Sequence, residues 1–166
     1  MQILKSTFYA QYCCGENRQE IALTVSDLRR LGFTGVVLAY AKEGNPEEIQ
    51  PRSSAENKAQ MQAWLEGNLE TVRLAERGDC IAVKYTGAGD NAIIALKALT
   101  RQDDGADHVP EIRSLREAMH QVCQAAKDKG VRVLMDAEQQ VVQRGIDILS
   151  LVRASKPLLH PFIKFR

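Results

Sequence analysis

Apolar residues recur along this chain in two alternating rhythms. Between Gln19 and Leu31, the residues Ile21, Val25, Leu28 and Leu31 fall at helical spacing, and Gly32 follows as a stop. The run Gly35-Val36-Val37-Leu38-Ala39-Tyr40 is almost wholly apolar, the pattern of a strand covered on both faces. Residues 42–58 are polar, with Gly44, Pro46 and Pro51, and predict a mobile loop. Met61, Leu65, Leu69 and Val72 mark a second helical face with Trp64 beside it, closed by Gly78. Ile81–Thr86 is a second apolar run with Lys84 as its one charge, broken by Gly87-Ala88-Gly89. A short helix over Asn91–Leu99 carries Ile93, Leu96 and Leu99, and residues 101–109 form a solvated loop. Ile112, Leu115, Met119, Val122 and Ala126 mark a third long helical face, ended by Gly130. Val131–Met135 is the third strand, with Asp136-Ala137-Glu138 at its C-terminal end.

Strands alternating with helices predict a parallel sheet with right-handed crossovers. Two architectures compete, an open doubly wound sheet and a (β/α)8 barrel. No GxGxxG follows the first strand, so the dinucleotide fingerprint is missing. Charges collect where the strands end: Lys42 and Glu43, then Lys84, then Asp136 and Glu138. Barrel enzymes keep their chemistry at that end. A full barrel needs about 250 residues. The expected fold is therefore α/β, a partial (β/α)8 TIM-type barrel of about three βα units over residues 1–147, with an N-terminal helix. Residues 148–166, with Pro157, Pro161 and a basic end, are expected to form an irregular tail.

Composition narrows the function classes. The 166 residues suit one domain able to hold a core without staples. Hydrophobic residues at 45% and charged residues at 26% exclude disorder. A net charge of +1 gives no general electrostatic reason to bind nucleic acid or membrane. No stretch approaches the ~20 apolar residues of a membrane span, and no secretory signal or organelle presequence is visible at the N-terminus. Cys13, Cys14, Cys80 and Cys123 form no CxxC pair and no zinc spacing, so they read as reduced thiols of an intracellular protein.

Lys84 carries the clearest chemical signal. An ammonium in an apolar strand needs a carboxylate partner, a lowered pKa, or a path to water at the strand's end. Its functional readings are an anion clamp for a substrate carboxylate and a Schiff-base nucleophile. Asp136 and Glu138 lie two apart and face one way along a strand, and Asp136 is placed to pair with Lys84 across neighbouring strands. The bland reading of one of these carboxylates is a cap for the next helix. Gly87-Ala88-Gly89-Asp90 suits a phosphate cradle or, more simply, a turn with Asp90 as N-cap. Trp64 reads as packing, and His108, His120 and His160 as structural or solvated.

Four stretches together resemble the FAD-dependent proline dehydrogenases (proline oxidases), especially the fungal mitochondrial type: TFYAQYCCGE (7–16), LGFTGVVLAYAKE (31–43), LETVRLAERGDCIAVKYTGAG (69–89) and GVRVLMDAEQQ (130–140). The resemblance implies a distorted (β/α)8 barrel with FAD at the strand ends. It implies oxidation of L-proline to Δ1-pyrroline-5-carboxylate by hydride transfer to FAD, with a quinone as electron acceptor, in the mitochondrion. It gives Lys84 and Asp136 catalytic roles, with Lys84 on the substrate carboxylate, and sets Ala137, Glu138 and Gln139 against the flavin. It fades near Asp147 and lacks the family's later strands and its carboxylate-clamping arginine pair. On that basis the chain is expected to be an inactive fragment with an open sheet edge, prone to aggregate or to associate with a full-length relative through that edge. The alternatives are an aldolase-like barrel enzyme using Lys84 as a Schiff-base amine and a non-catalytic degenerate product.

Overall fold

Three short apolar segments lie side by side in chain order, and helices carry the chain from the end of each to the start of the next. This arrangement is taken from a computed structural model, which describes residues 13–101, 109–154 and 163–164. His108, His160, Pro157, Pro161, the beginning of the 7–16 stretch and nearly all of the 101–109 loop lie outside the described residues.

The chain divides into two compact units, Met1–Val36 and Val37–Arg166. In the first, helix α1 spans Arg18–Arg30. Asn17 caps it, its side chain accepting from the Glu20 amide at 3.0 Å. Leu23, Leu31 and Phe33 in this unit are exposed.

The second unit runs β1 (Val37–Ala39), α2 (Ser54–Leu74), β2 (Cys80–Val83), a 3-10 turn (Tyr85–Ala88), α3 (Asp90–Arg101), α4 (Pro110–Lys129), β3 (Arg132–Met135) and α5 (Gln140–Ala154). A two-residue strand, β4 (Ile163–Lys164), pairs with Leu134 and Met135. All pairings are parallel and the order is β1-β2-β3-β4. The register aligns Leu38, Ile81 and Val133 in one row, with Val83 opposite Met135. All five are buried. The core grows outward through Trp64, Tyr85, Ile93, Leu96, Ile112 and Met119 as α2 packs on α4 and α3 packs on α5. Burying side chains of this size stabilises the fold by about 1.5–3 kcal/mol each.

The helix boundaries have local causes. Ser53 and Glu56 form a capping box, so α2 starts at Ser54, inside the stretch expected to be loop. Gly130 ends α4 at φ +72°, a left-handed conformation that a side chain disfavours. α5 continues past Ile148, where an irregular tail was expected, because Val142, Ile146 and Leu149 keep the helical spacing and are all buried.

The expectation of a TIM-type barrel is corrected. The sheet is small and open: among the described residues β1 pairs with β2 alone, and Val37 stands 56% exposed on that edge strand. Closing a barrel takes about eight tilted, staggered strands, and strands of three or four residues in this number cannot return upon themselves. The alternating βα order matches the expected one. Such an order is common to every parallel sheet and says nothing of closure.

The loop 40–53 is seated on the second unit at several points. Lys97 Nζ donates to the Pro46 carbonyl at 2.6 Å, and Pro46 is buried. Arg52 pairs with Asp90 at 2.7 Å and exchanges hydrogen bonds with Asn91. A side-chain carbon on Gly87 would fall on the Lys42 carbonyl oxygen and against the Trp64 ring. Only glycine lets the loop lie this close. Gly87→Ala is expected to lower stability by about 2 kcal/mol or more, because a backbone carbonyl has to move. A fall in the urea midpoint with an unchanged slope checks it.

Candidate functional site

The β2–β3 ladder does not stop at the last strand residues. The Asp136 amide donates to the Val83 carbonyl at 3.1 Å, and Lys84 keeps an extended backbone at φ −104°, ψ 117°. Advancing the Val83–Met135 register by one step sets Lys84 opposite Asp136. Their side chains meet: Lys84 Nζ lies 2.7 Å from Asp136 Oδ2. Glu43, in the loop after β1, approaches the same ammonium at 3.4 Å. Three successive strand ends thus contribute one charge each to a single cluster.

The partners differ in exposure. Lys84 is 23% exposed, Asp136 33% and Glu43 47%. The hydrogen bond that Lys84 donates to Asp136 leads the effects that hold the Lys84 ammonium above its ordinary value, outweighing partial burial. This strengthens the protonated form. A Schiff-base nucleophile needs the free amine, which this pairing does not favour, and the aldolase-like alternative also assumed a barrel that the open sheet lacks.

Lys84 is also fixed through its backbone. Trp64 Nε1 donates to the Lys84 carbonyl at 2.8 Å. The indole is buried and stacks on Tyr85, with centroids 6.1 Å apart and planes at 27°. Trp64 is therefore core and support at once.

Glu138 leaves the line of β3 and turns to the loop after β2. Its carboxylate accepts from the Thr86 amide at 3.2 Å and from the Thr86 hydroxyl. Its own amide donates to Gln143 Oε1 at 2.8 Å, and Gln143 Nε2 donates to Asp147 Oδ1 at 2.6 Å. Burial raises the Glu138 carboxyl, against the opposing hydrogen bonds from Thr86. Of the residues set against a flavin, Ala137 is half-buried and Gln139 is exposed, and the Gln139 carbonyl accepts from Val142 and Gln143 at the start of α5.

The remaining expected features are plain. The Asp90 amide donates to Gln60 Oε1 at 3.2 Å, and Asp90 is the first residue of α3. His120 is exposed on α4. None of the four cysteines is in a disulfide; Cys13 and Cys14 are exposed, Cys80 and Cys123 buried. Among the described residues, no group of three His, Cys, Asp or Glu side chains could hold a metal, and no helix is long and apolar enough to cross a membrane. The sequence reading did not find Thr86 or Gln143. Their importance depends on contacts across 52 and 5 residues, and a threonine or glutamine at those positions carries no pattern of its own.

No family model matches the chain. Over 143 residues, 84% of its length, it is 27% identical to the carbapenem antibiotics biosynthesis protein CarD of Pectobacterium carotovorum subsp. carotovorum. The chain spans about a third of that relative's length, 35%. These findings correct the resemblance to proline dehydrogenase, and with it the expected activity, FAD-dependent oxidation of L-proline in proline catabolism. The similar protein bears a different function in its name, and the open sheet lacks the barrel that the resemblance implied. A lysine and a carboxylate facing each other across parallel strand ends form a pairing that many α/β proteins can build, so Lys84 and Asp136 do not by themselves identify a family.

Glu138 gives a pH signature with a definite sign. Its carboxyl is raised in the native state, so the native protein holds this proton more tightly than the unfolded chain. The stabilisation is complete below the ordinary glutamate value and is lost as pH rises through the native one. Glu138→Gln keeps an acceptor for the Thr86 amide and cannot ionise. The wild-type protein is expected to lose more stability than this variant as pH rises above the ordinary glutamate value, read from urea unfolding at each pH.

Proposed function

We propose that the strand-end cluster binds the carboxylate group of a small molecule, with Lys84 as the clamp, in a biosynthetic or other small-molecule role. The observation that carries this reading is the inequality of the two counterions on Lys84. Asp136 is close and held by the β ladder, whereas Glu43 is longer by 0.7 Å, more exposed and on a loop (3.4 against 2.7 Å). Asp136 orients the ammonium and keeps it charged. Glu43 occupies the position that an incoming carboxylate would take. The ammonium has three N–H donors, and the two carboxylates engage two of them. Placement at the C-terminal end of a parallel sheet supports a ligand site, since crevices form there in α/β folds. Similarity to a protein named for antibiotic biosynthesis supports a small-molecule ligand over a macromolecular one.

FAD, expected at Ala137, Glu138 and Gln139, rested on the resemblance alone, as did the quinone acceptor and the mitochondrial location. The inward commitment of Glu138 to Thr86 and Gln143 does not favour a flavin there. A second reading, association with another chain through the open β1 edge, is favoured by the exposure of Val37. A concentration-independent monomer in sedimentation would remove it.

Benzoate and acetate serve as probes for the carboxylate site. Lys84→Met is expected to weaken benzoate binding at least about tenfold, the worth of a charge-assisted hydrogen bond, and Lys84→Arg to retain part of it. Glu43→Gln is expected to tighten binding about threefold by removing the competing carboxylate, an effect the size of a partly exposed ion pair. Calorimetric titration reads both. Absence of binding to wild type and to Glu43→Gln alike would overturn the reading.

A further inference from the structure

We infer that Glu138 and Gln143 are positioning residues that hold Lys84 against Asp136 through a hydrogen-bonded brace between the β2 and β3 loops. The inference deepens the carboxylate-site reading and takes its functional meaning from it. The geometry is specific. Thr86 lies two residues beyond Lys84, and Glu138 lies two residues beyond Asp136. The Thr86–Glu138 contact therefore ties together the two chain segments that leave the paired charges. Both Thr86 donors, amide and hydroxyl, end on the one carboxylate. Thr86 is 1% exposed, so this is an interior brace rather than a surface contact.

The brace continues into α5. Gln143 accepts from the Glu138 amide and donates to Asp147 one helical turn on. The loop Asp136–Gln139 is thereby anchored to a helix that packs on α3. On the other side, Trp64 holds the Lys84 carbonyl from α2. Lys84 is held from two directions by groups that do not touch its ammonium.

A partly buried carboxylate loses solvation, which is a cost at Glu138. The groups that face it explain its retention. Thr86 supplies two donors, Lys84 supplies a nearby positive charge, and Gln143 receives its amide. Asp136 and Glu43, the other acids of the cluster, bind Lys84 and make no contact with Glu138 among the hydrogen bonds and ion pairs described here. Division of labour follows: Asp136 and Glu43 set the charge on Lys84, and Glu138 with Gln143 set where that charge stands.

Competitive acetylation with acetic anhydride, read by mass spectrometry across pH, measures how readily Lys84 gives up its proton, with no ligand required. Exposed Lys58 on α2 serves as the internal reference. With Glu138→Ala, Lys84 is expected to react about threefold faster or more than in wild type at fixed alkaline pH, since each unit of lowered pKa gives tenfold more free amine. Glu138→Gln, which keeps partners for Thr86, is expected to restore the rate to within about twofold, and Gln143→Ala to fall between them. Thr86→Val removes one donor at nearly constant volume and stands in where Glu138→Ala does not fold; a raised Lys84 rate supports the brace. Unchanged Lys84 reactivity in folded Glu138→Ala, or in Thr86→Val, overturns the inference. The carboxylate reading fails separately, through absent benzoate binding in the wild-type protein.

Discussion

The β2–β3 parallel ladder, carried one residue past the strands by the Asp136 amide on the Val83 carbonyl, is the constraint on which the site depends. That one hydrogen bond sets Lys84 and Asp136 in register. A lysine in an apolar strand is costly, and the cost is offset when a carboxylate is delivered at hydrogen-bond distance by the backbone itself. Removing either partner would leave a partly buried charge alone, which is worse than never having had the pair. Register and ion pair thus support each other.

Core and site share residues here. Trp64 is buried, stacks on Tyr85 and donates to the Lys84 carbonyl, so a packing residue aligns a chemical one. Gly87 lets the loop after β1 lie on the turn after β2, and the same loop brings Glu43 to Lys84. Lys97, Arg52, Asp90 and Asn91 then fasten that loop to α3. A segment rich in Gly, Pro and charge suggests mobility; its tethers to α3 make it part of the wall.

Similarity to a carbapenem antibiotics biosynthesis protein at 27% identity covers most of this chain and about a third of that protein. Folds and functions separate readily at such distances, so argument has to run through the site. What the site presents is Lys84 paired with Asp136 at 2.7 Å and with Glu43 at 3.4 Å, its carbonyl accepting from Trp64. The corrected resemblance to proline dehydrogenase rested on four stretches, among them the Lys84 strand and the Asp136–Glu138 block. Both are present and do meet in space, yet their meeting follows from parallel register and does not by itself name a reaction.

Much of the local structure was legible in the chain. Helical spacing from Ile112 to Ala126, the glycine at 130 and the three apolar runs correspond to α4, its left-handed cap and the strands. These depend on periodicity and steric rules that act over a few residues. The Ser53–Glu56 capping box is also present in the sequence as Ser-x-x-Glu, within a polar stretch whose Gly44, Pro46 and Pro51 suggest loop. The pairing of Lys84 with Asp136 was within reach, since alternation and strand order suffice to suggest it. Whether the sheet closes was not, because closure depends on strand number and stagger, which no local pattern encodes. Nor was the inward turn of Glu138, whose partner Thr86 lies 52 residues away. Sequence by itself determined which segments would be helix or strand and which charges would stand at the strand ends, because those are properties of neighbours along the chain. Only the tertiary structure decided that the sheet is open and which carboxylate faces the lysine or the threonine, because those are set by packing between segments far apart in the chain.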